Sequence, residues 1–288
     1  MQGNDDTRPS RASAWEQLDC ALWGKSDGLP PGVAYAAIGH LLDTAAVAWC
    51  GWDVYLTEPQ RSMLVSGMGL RSGEVEDRER VRGLLACWAG WHDLGKIGGF
   101  QRKDAAAFGR LAGYPPLGPD ASSSHEPGTQ LFLASSLPSA GYDGLGDGLP
   151  TASPARRVAQ LLGGHHGRFF AQPSRRSLRS PAVRERELGG GKWEEQRVAH
   201  RDAVAAAVGD PVAPVVLSVE AAVLAVEVVV LSDWLASQEH FVEAQEAAMR
   251  AAGADALAGH WGRALAAAPG LFAEAGLGVP RWMETPAS

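Results

Sequence analysis

The stretch that decides the fold, residues 76–96, reads EDRERVRGLLACWAGWHDLGK. Its apolar residues recur every three or four positions, the spacing that places them on one face of an α-helix. We therefore predict a helix over Glu76–Asp93, with Gly95 marking its end. The helix closes on the adjacent pair His92 and Asp93, so an imidazole and a carboxylate leave the same turn of the backbone.

Helical spacing dominates the rest of the chain as well. Further helices are predicted over Tyr35–Tyr55, Glu126–Leu133, Pro154–Leu162, Glu194–Val208 and Val215–Ser237. Clusters of Gly, Pro and Ser predict loops over Glu58–Gly73, Ala112–Ser124, Pro138–Pro150 and Gln172–Gly191. Alternating strand patterns are scarce, so we predict an all-α fold.

Composition limits the class of protein. The chain has 288 residues and a formal net charge of -7, which argues against a wide basic surface that grips nucleic acid. Any contact with nucleic acid must then be local, assisted by metal or aided by a partner. Cys20, Cys50 and Cys87 are scattered and odd in number, which argues against a disulfide framework and fits a reducing, cytoplasmic location.

Two further sequence features bear on localisation and on nucleotide binding. The most apolar run, Val212–Leu231, is interrupted by Glu220 and Glu227, so we predict a buried core helix and no contact with a membrane. The first residues, Met1–Ser13, are polar and lack the apolar centre of a signal peptide. No Gly-x-x-x-x-Gly-Lys-Ser/Thr loop occurs, so we predict no ATP site of that type in this chain.

Side chains of the kind that bind metals recur along the chain. They are His40, His92, Asp93, His125, His165, His166 and Asp233. This mixture of imidazole and carboxylate suits Mn, Fe, Co, Ni or Zn better than Mg or Ca. Together the residues indicate a dinuclear metal site, which is typical of phosphoester hydrolysis. Lys96 adds a cation that can hold a phosphate oxygen beside Asp93.

Each of these residues also has a purely structural interpretation. His40 can be a hydrogen-bonded core histidine, and Asp93 can cap a helix. The serines before His125 can cap another helix. The doublet His165-His166 can be two exposed loop histidines, and Asp233 can be the partner of an arginine. The combination of all seven favours the metal site.

A positively charged stretch follows the histidine doublet and is the candidate path for a nucleic-acid strand. It begins with Arg168, Phe169 and Phe170 and continues into an arginine-rich segment that includes Arg175, Arg176 and Arg179. A solvated, flexible loop is the alternative for the part beyond Ala171. The tryptophans Trp88 and Trp91 are expected in the core, and Trp234 is expected to pack under the site.

The order His, His-Asp, His, His-His, Asp resembles that of the HD phosphohydrolase superfamily in its dinuclear form. Narrower similarities lie in the motifs Trp23-Gly24-Lys25-Ser26, Ile38-Gly39-His40-Leu41-Leu42-Asp43-Thr44-Ala45, His92-Asp93-Leu94-Gly95-Lys96 with Phe100-Gln101, Gly164-His165-His166-Gly167, and Leu231-Ser232-Asp233-Trp234-Leu235-Ala236-Ser237. These motifs resemble the N-terminal HD nuclease domain of the CRISPR-associated nuclease-helicase of type I systems, most closely its type I-E branch. The resemblance extends from about Trp15 to Arg281.

The resemblance implies an HD-domain helical bundle that acts as a metal-dependent nuclease. Its expected reaction is cleavage of single-stranded DNA phosphodiesters in CRISPR interference, the degradation of foreign DNA in antiviral defence. It implies two transition-metal ions. One would be held by His40, His92, Asp93 and Asp233, and the other by Asp93, His125, His165 and His166. Asp93 would bridge the ions, and Lys96 would lie beside the scissile phosphate.

The same resemblance suggests partners and domain boundaries. The expected partners are single-stranded DNA, a CRISPR surveillance complex, and a helicase domain or subunit. We predict a disordered N-terminus over residues 1–14, the nuclease domain over 15–270, and a terminal helix with a tail or linker toward a helicase over 271–288. Two other functions stay open: an HD phosphohydrolase acting on a deoxynucleotide triphosphate or cyclic nucleotide, and a non-catalytic docking module.

Overall fold

The computed structural model describes residues 15–119, 121, 123–143 and 153–278. Helices make up most of this part of the chain, which confirms the predicted all-α fold. The α-helices are α1 (Ala37–Val54), α2 (Glu58–Gly67), α3 (Val75–Trp91), α4 (Ala105–Phe108), α5 (His125–Ser136), α6 (Pro154–Gly163), α7 (Arg175–Arg179), α8 (Pro181–Leu188), α9 (Lys192–Val208), α10 (Val219–Ala236), α11 (Glu239–Ala252) and α12 (His260–Glu274). A small antiparallel sheet, β1 (Trp23–Lys25) paired with β2 (Tyr35–Ala36), precedes α1.

Helix α1 is the central element of the bundle. It contacts α3, α10 and α12, and its buried residues lie on almost every side of the helix. Leu41 and Leu42 are fully enclosed, and burial of each such side chain stabilises the fold by roughly 1.5–3 kcal/mol. Trp88 and Trp91 of α3 are buried as predicted. Because α1 and α3 pack along each other, the metal-type residues on these two segments are brought together.

Buried polar side chains fix the segments around this helix pair. Arg197 of α9 donates hydrogen bonds to the carbonyls of Ile97, Leu188 and Gly189 at 2.6–2.7 Å. The carbonyl of Ile97 belongs to the turn that follows the His-Asp pair, so this guanidinium ties that turn to the C-terminus of α8. Three charge-assisted hydrogen bonds from one buried side chain are costly to lose.

A second buried network joins the last described helix to α1. The Tyr35 hydroxyl donates to Asp43 at 2.5 Å, and Nε2 of His260 donates to the other oxygen of Asp43 at 2.9 Å. All three side chains are buried. The network therefore anchors α12 one turn away from His40.

Two predicted loops are wrong because they contain helices. Within Glu58–Gly73, α2 begins with a capping box in which the Thr57 backbone N–H donates to the Gln60 side chain at 2.8 Å. Within Gln172–Gly191, α7 and α8 follow Ser174 and Ser180, whose side chains accept from the backbone N–H three residues later. The serines and prolines that suggested loops are N-terminal helix signals here.

The prediction of a buried core helix in the apolar run Val212–Leu231 is wrong in part. The inner face of α10 is buried, but Val219 and Val223 on its outer face are 61% and 60% exposed. Within the described residues, no helix combines the length and apolar character that crossing a membrane requires.

The predicted domain boundaries can be compared with the structure only in part. Helix α12 begins at His260, before the predicted terminal segment 271–288. The predicted disordered N-terminus 1–14 and the tail 279–288 lie outside the described residues, as do residues 144–150 of the predicted loop Pro138–Pro150. The division into domains stays a prediction.

Candidate metal centre

The structure brings all seven metal-type residues together from five separate segments. His40 lies in α1, and His92 and Asp93 directly follow α3. His125 is the first residue of α5, the His165-His166 doublet follows α6, and Asp233 lies near the end of α10. They form two groups, His40, His92, Asp93 and Asp233 in the first and His125, His165 and His166 in the second. Within each group the ligand atoms lie within 4.8 Å of one another.

The first group is fully buried between α1, the end of α3 and α10. Nε2 of His40 lies 3.4 Å from Oδ2 of Asp93 and 3.2 Å from Oδ1 of Asp233. Nε2 of His92 lies 3.2 Å and 3.4 Å from the same two oxygens. Two imidazoles and two carboxylates therefore face one point.

Asp93 also reaches the second group, through its other oxygen. Oδ1 lies 3.0 Å from Nε2 of His125 and 3.6 Å from Nε2 of His165. The ring of His166 lies 4.2 Å from that of His165, centroid to centroid, and His166 is exposed. Each oxygen of the Asp93 carboxylate thus faces a different group, and the second group opens to the surface.

Backbone carbonyls orient two of these imidazoles. Nδ1 of His92 lies 2.6 Å from the carbonyl oxygen of Ala89, and Nδ1 of His165 lies 2.6 Å from that of Leu162. Because a carbonyl can only accept, Nδ1 carries the proton in both rings. The Nε2 lone pair of a neutral ring is then directed into the site, the arrangement in which protein histidines bind metals.

The residues fit a pair of cations because several buried polar atoms lack a partner. Among the described residues, five atoms that face the two groups make no hydrogen bond: Nε2 of His40, His92, His125 and His165, and Oδ1 of Asp93. Buried polar atoms without hydrogen bonds are rare in folded proteins. Imidazole and carboxylate donors converging on a point are what a borderline divalent ion requires.

The electrostatics of the first group favour positive charge. Burial by itself would raise the pKa of Asp93, but the charges of His92 and Lys96 hold it well below its usual range. The pKa of Asp233 is also held well below its usual range, because the charge of His92 and the contact with His40 outweigh the effect of burial. Both carboxyl groups are therefore ionised at neutral pH.

The histidines divide into two kinds. Burial works to lower the pKa of His92, but Asp93 and Asp233 offset it and raise this pKa to about 9. Burial, with the positive charge of His92, lowers the pKa of His165 to about 3, and burial lowers those of His40 and His166. His40, His165 and His166 are thus held neutral, the form that binds metals. His92 instead carries a second proton, whose positive charge lies between the two carboxylates where a metal cation would also be favoured.

Lys96 and Gln101 fix the segment after the His-Asp pair. Nζ of Lys96 lies 2.6 Å from Oδ2 of Asp93 and donates to the Gly24 carbonyl at 2.9 Å. The Gln101 side chain accepts from the Trp23 backbone N–H at 3.1 Å and donates to the carbonyls of Trp23 and Lys96. The sequence alone did not indicate this role of Gln101, although the residue lies in a motif that carries the family resemblance.

The arginines of the predicted strand path are exposed, and the path begins directly after the His165-His166 doublet of the second group. Arg168, Arg175, Arg176 and Arg179 are all exposed, and the last three lie in α7. Phe169 is 54% exposed and its ring packs on Gly164, where a Cβ would overlap it. The expectation that Trp234 packs under the site is wrong. Its side chain is 65% exposed, because it points away from the buried face of α10 that carries Asp233.

A helical bundle that gathers histidines and aspartates around an adjacent His-Asp pair defines the HD-domain class of proteins. Residues 23–242 match the model of the family described as Cas3, HD domain. The chain therefore belongs to the Cas3 HD-domain family, and so to the CRISPR-associated HD nucleases. No curated protein matches it.

Solved structures agree with this family. A crystal structure of T. fusca Cas3 is 35% identical with a TM-score of 0.78, and the match covers 91% of this chain and 28% of that one. A chain of a structure described as a CRISPR RNA-guided surveillance complex, pre-nicking, is 35% identical with a TM-score of 0.76, covering 90% and 29%. This chain thus spans under a third of the length of these relatives.

A third solved structure supports the fold alone. The Thermus thermophilus cas3 HD domain, crystallised in the presence of Ni²⁺, is 22% identical to this chain with a TM-score of 0.58. The match covers 96% of this chain and 95% of that one, so the two are alike over nearly their whole lengths.

Proposed function

We propose that this domain hydrolyses phosphodiester bonds of single-stranded DNA in a metal-dependent reaction that serves CRISPR interference. The observation that carries the proposal is the Asp93 carboxylate, whose two oxygens face separate groups of ligands. A shared carboxylate between two sets of imidazoles is the arrangement that a dinuclear hydrolase needs.

The proposed ligands follow the two groups. His40, His92, Asp93 and Asp233 would hold one ion, and Asp93, His125, His165 and His166 the other. The donor set favours Fe, Mn, Ni, Co or Zn. When bound, such ions supply Lewis acidity, which lowers the pKa of water and neutralises charge on the phosphate.

The protein's own residues prepare this site in two ways. The carbonyls of Ala89 and Leu162 fix the rings of His92 and His165, so little ordering is left to occur during the reaction. Lys96 holds Asp93 by an ion pair and places a positive charge where negative charge on a phosphate would develop. A catalytic role for Lys96 and Asp93 is part of the proposal.

The exposed residues beside the second group support a long, single-stranded substrate. Arg168 and the arginines of α7 offer charge for phosphates, and Phe169 offers an exposed ring on which a base can stack. Because His166 is exposed, a strand can approach the second group from the surface. These features favour DNA over the alternative, a small nucleotide.

The proposed partners rest on the length of the relatives. Since the chain covers 28% of T. fusca Cas3, we infer that it works beside further machinery, namely a helicase domain or subunit. The matched chain in a surveillance-complex structure supports an assembly of that kind. A cytoplasmic location stays a prediction.

Metal-dependent nicking of circular single-stranded DNA tests the proposal. Protein stripped with a chelator should leave the circle intact, and adding Mn, Co or Ni should convert it to the linear form. Deoxynucleotide triphosphates and cyclic nucleotides are assayed in parallel. Hydrolysis of a nucleotide with an intact circle would favour the small-substrate function. If the metal-loaded protein cleaves neither DNA nor nucleotides, the result would favour the non-catalytic docking module.

Neutralising the arginines of α7 should weaken binding of single-stranded DNA. In a triple variant, Arg175→Gln, Arg176→Gln and Arg179→Gln, the slope of log affinity against log salt should flatten by up to about 2, since each lost phosphate contact removes roughly 0.7. Fluorescence anisotropy with a labelled oligonucleotide in chelator measures this without cleavage.

A matched control replaces three exposed arginines elsewhere. Arg71→Gln, Arg110→Gln and Arg250→Gln together remove the same charge from exposed positions outside α7. The control should keep most of the wild-type slope. Equal slopes for wild type and the α7 variant would show that α7 does not touch the strand.

A further inference from the structure

Strand β1 holds a second lysine at the edge of the first ligand group. Gly24 lies against the first turn of α1, where a Cβ would sit 3.0 Å from Cα of Ala37 and 3.4 Å from Cβ of His40. Only a glycine lets the strand come this close without displacing α1. The next residue, Lys25, therefore lies directly beside the first ligand group.

The position of Lys25 is rigidly determined by its neighbours. The hydrogen bonds between Gln101 and Trp23 clamp the strand to the turn that carries Lys96, and the Trp23 ring packs on Phe100 with 4.8 Å between centroids. The strand also pairs with β2 immediately before α1. A side chain on such an anchored backbone loses little freedom when it binds a ligand.

The two lysines at the site differ in how fully they are engaged. The Lys96 side chain is 7% exposed, and two of its three donors are committed to Asp93 and Gly24. The Lys25 side chain is 24% exposed, and its contact with Oδ1 of Asp233 is 3.5 Å long. Charge-assisted hydrogen bonds are normally about 2.7–2.9 Å, so the Lys25 ammonium retains capacity for another anion.

We propose that Lys25 binds a non-bridging oxygen of the scissile phosphate. The assignment rests on the proposed function and adds a substrate contact to it. Lys25 is the partly exposed cation beside Asp233, so an incoming phosphate meets its ammonium at the edge of the first group. Lys96 instead acts mainly through Asp93. A lysine suits this task because its point charge recognises phosphate regardless of base sequence.

Measuring the affinity for phosphate distinguishes a role of Lys25 in binding the substrate from a role in holding the metal. The variant Lys25→Gln removes the charge and keeps much of the side-chain length, and Lys25→Arg keeps the charge. Lys103→Gln is the matched control, because Lys103 is exposed and its Nζ lies over the Phe100 ring, 4.6 Å from the centroid. Each protein is loaded with Mn, its metal content is measured, and its affinity for inorganic phosphate is determined by calorimetry. The rate of nicking is measured alongside.

We expect Lys25→Gln to keep its metal and to bind phosphate at least about tenfold more weakly than wild type. Its nicking rate should fall by at least the same factor, while Lys25→Arg retains part of both and Lys103→Gln matches wild type. Wild-type phosphate affinity in Lys25→Gln would overturn the assignment, and so would a loss of metal that explains the defect. A metal-loaded wild type that neither binds phosphate nor cleaves DNA would overturn the proposed function, and the assignment with it.

Discussion

Replacing Asp93 with asparagine will abolish nicking and empty both ligand groups. The Asp93 carboxylate supplies one oxygen to each group, so removing its charge weakens both at once. A loss of several kcal/mol of transition-state stabilisation corresponds to a rate that is lower by about three orders of magnitude or more. Elemental analysis measures the metal, and conversion of circular DNA measures the rate.

The comparison with Asp233→Asn shows whether Asp93 is shared. Asp233 contacts His40 and His92 and belongs to the first group alone, so its loss should leave an ion in the second. Asp53→Asn is the control, because Asp53 forms an exposed ion pair with Arg82. Circular dichroism should show that all three variants are folded. Persistent cleavage by the Asp93 variant, or a full second ion within it, would refute the shared role.

The sequence predicted which residues could bind metal at this site, but it did not predict how they are arranged in space. The adjacent pair His92-Asp93 and the residue types of the other candidates indicated metal ligands before any distance was known. Their division into two groups depends on helix packing between segments far apart in the chain, which spacing does not encode. Asp233 lies at the end of α10, yet its carboxylate is 3.4 Å from Nε2 of His92.

Helices α2 and α8 were not predicted, although the residues that start them are typical helix N-termini. Thr57 and Gln60 form a capping box around α2, and Ser180-Pro181 starts α8 with a serine cap and a proline in the first turn. These segments have few apolar residues, so periodicity gave them no support. The sequence therefore marks these helices by their capping residues and not by an apolar stripe.

The exposure of Trp234 could not be predicted from the sequence. Helix α10 is apolar on nearly all sides, so its sequence does not say which face is covered. The structure shows that Asp233 lies on the covered face and Trp234 on the open one. Only tertiary contacts decide between neighbouring positions of such a helix.

Replacing Gly95 with alanine will destabilise the fold and loosen the second ligand group. A Cβ at Gly95 would overlap the carbonyl oxygen of His125 and lie 2.5 Å from the backbone nitrogen of Thr129. These are backbone atoms in the first turn of α5, so no side-chain rotation relieves the clash. Overpacking of this kind costs about 3 kcal/mol. Urea denaturation measures the loss, and it should be accompanied by loss of one ion.

The reason for the metal loss is that α5 must move as a unit. His125 begins this helix, and its Nε2 lies 3.0 Å from Asp93, so a shift of the helix separates His125 from the carboxylate. Thr129→Val offers a milder version if the alanine variant does not fold. The Thr129 hydroxyl accepts from the Gly95 backbone N–H and donates to the His92 carbonyl, both at 2.9 Å. Its loss should cost about 1–3 kcal/mol.

Gly262→Ala separates the clash from the general effect of replacing glycine. Gly262 lies within α12, and a Cβ there meets nothing within 4 Å. Alanine in an open helical position favours the helix by up to about 1 kcal/mol, so this control should be neutral or slightly stabilised. If Gly95→Ala also unfolds at the wild-type urea concentration and keeps both ions, then the close approach of α5 to the His-Asp turn does not hold His125 in place.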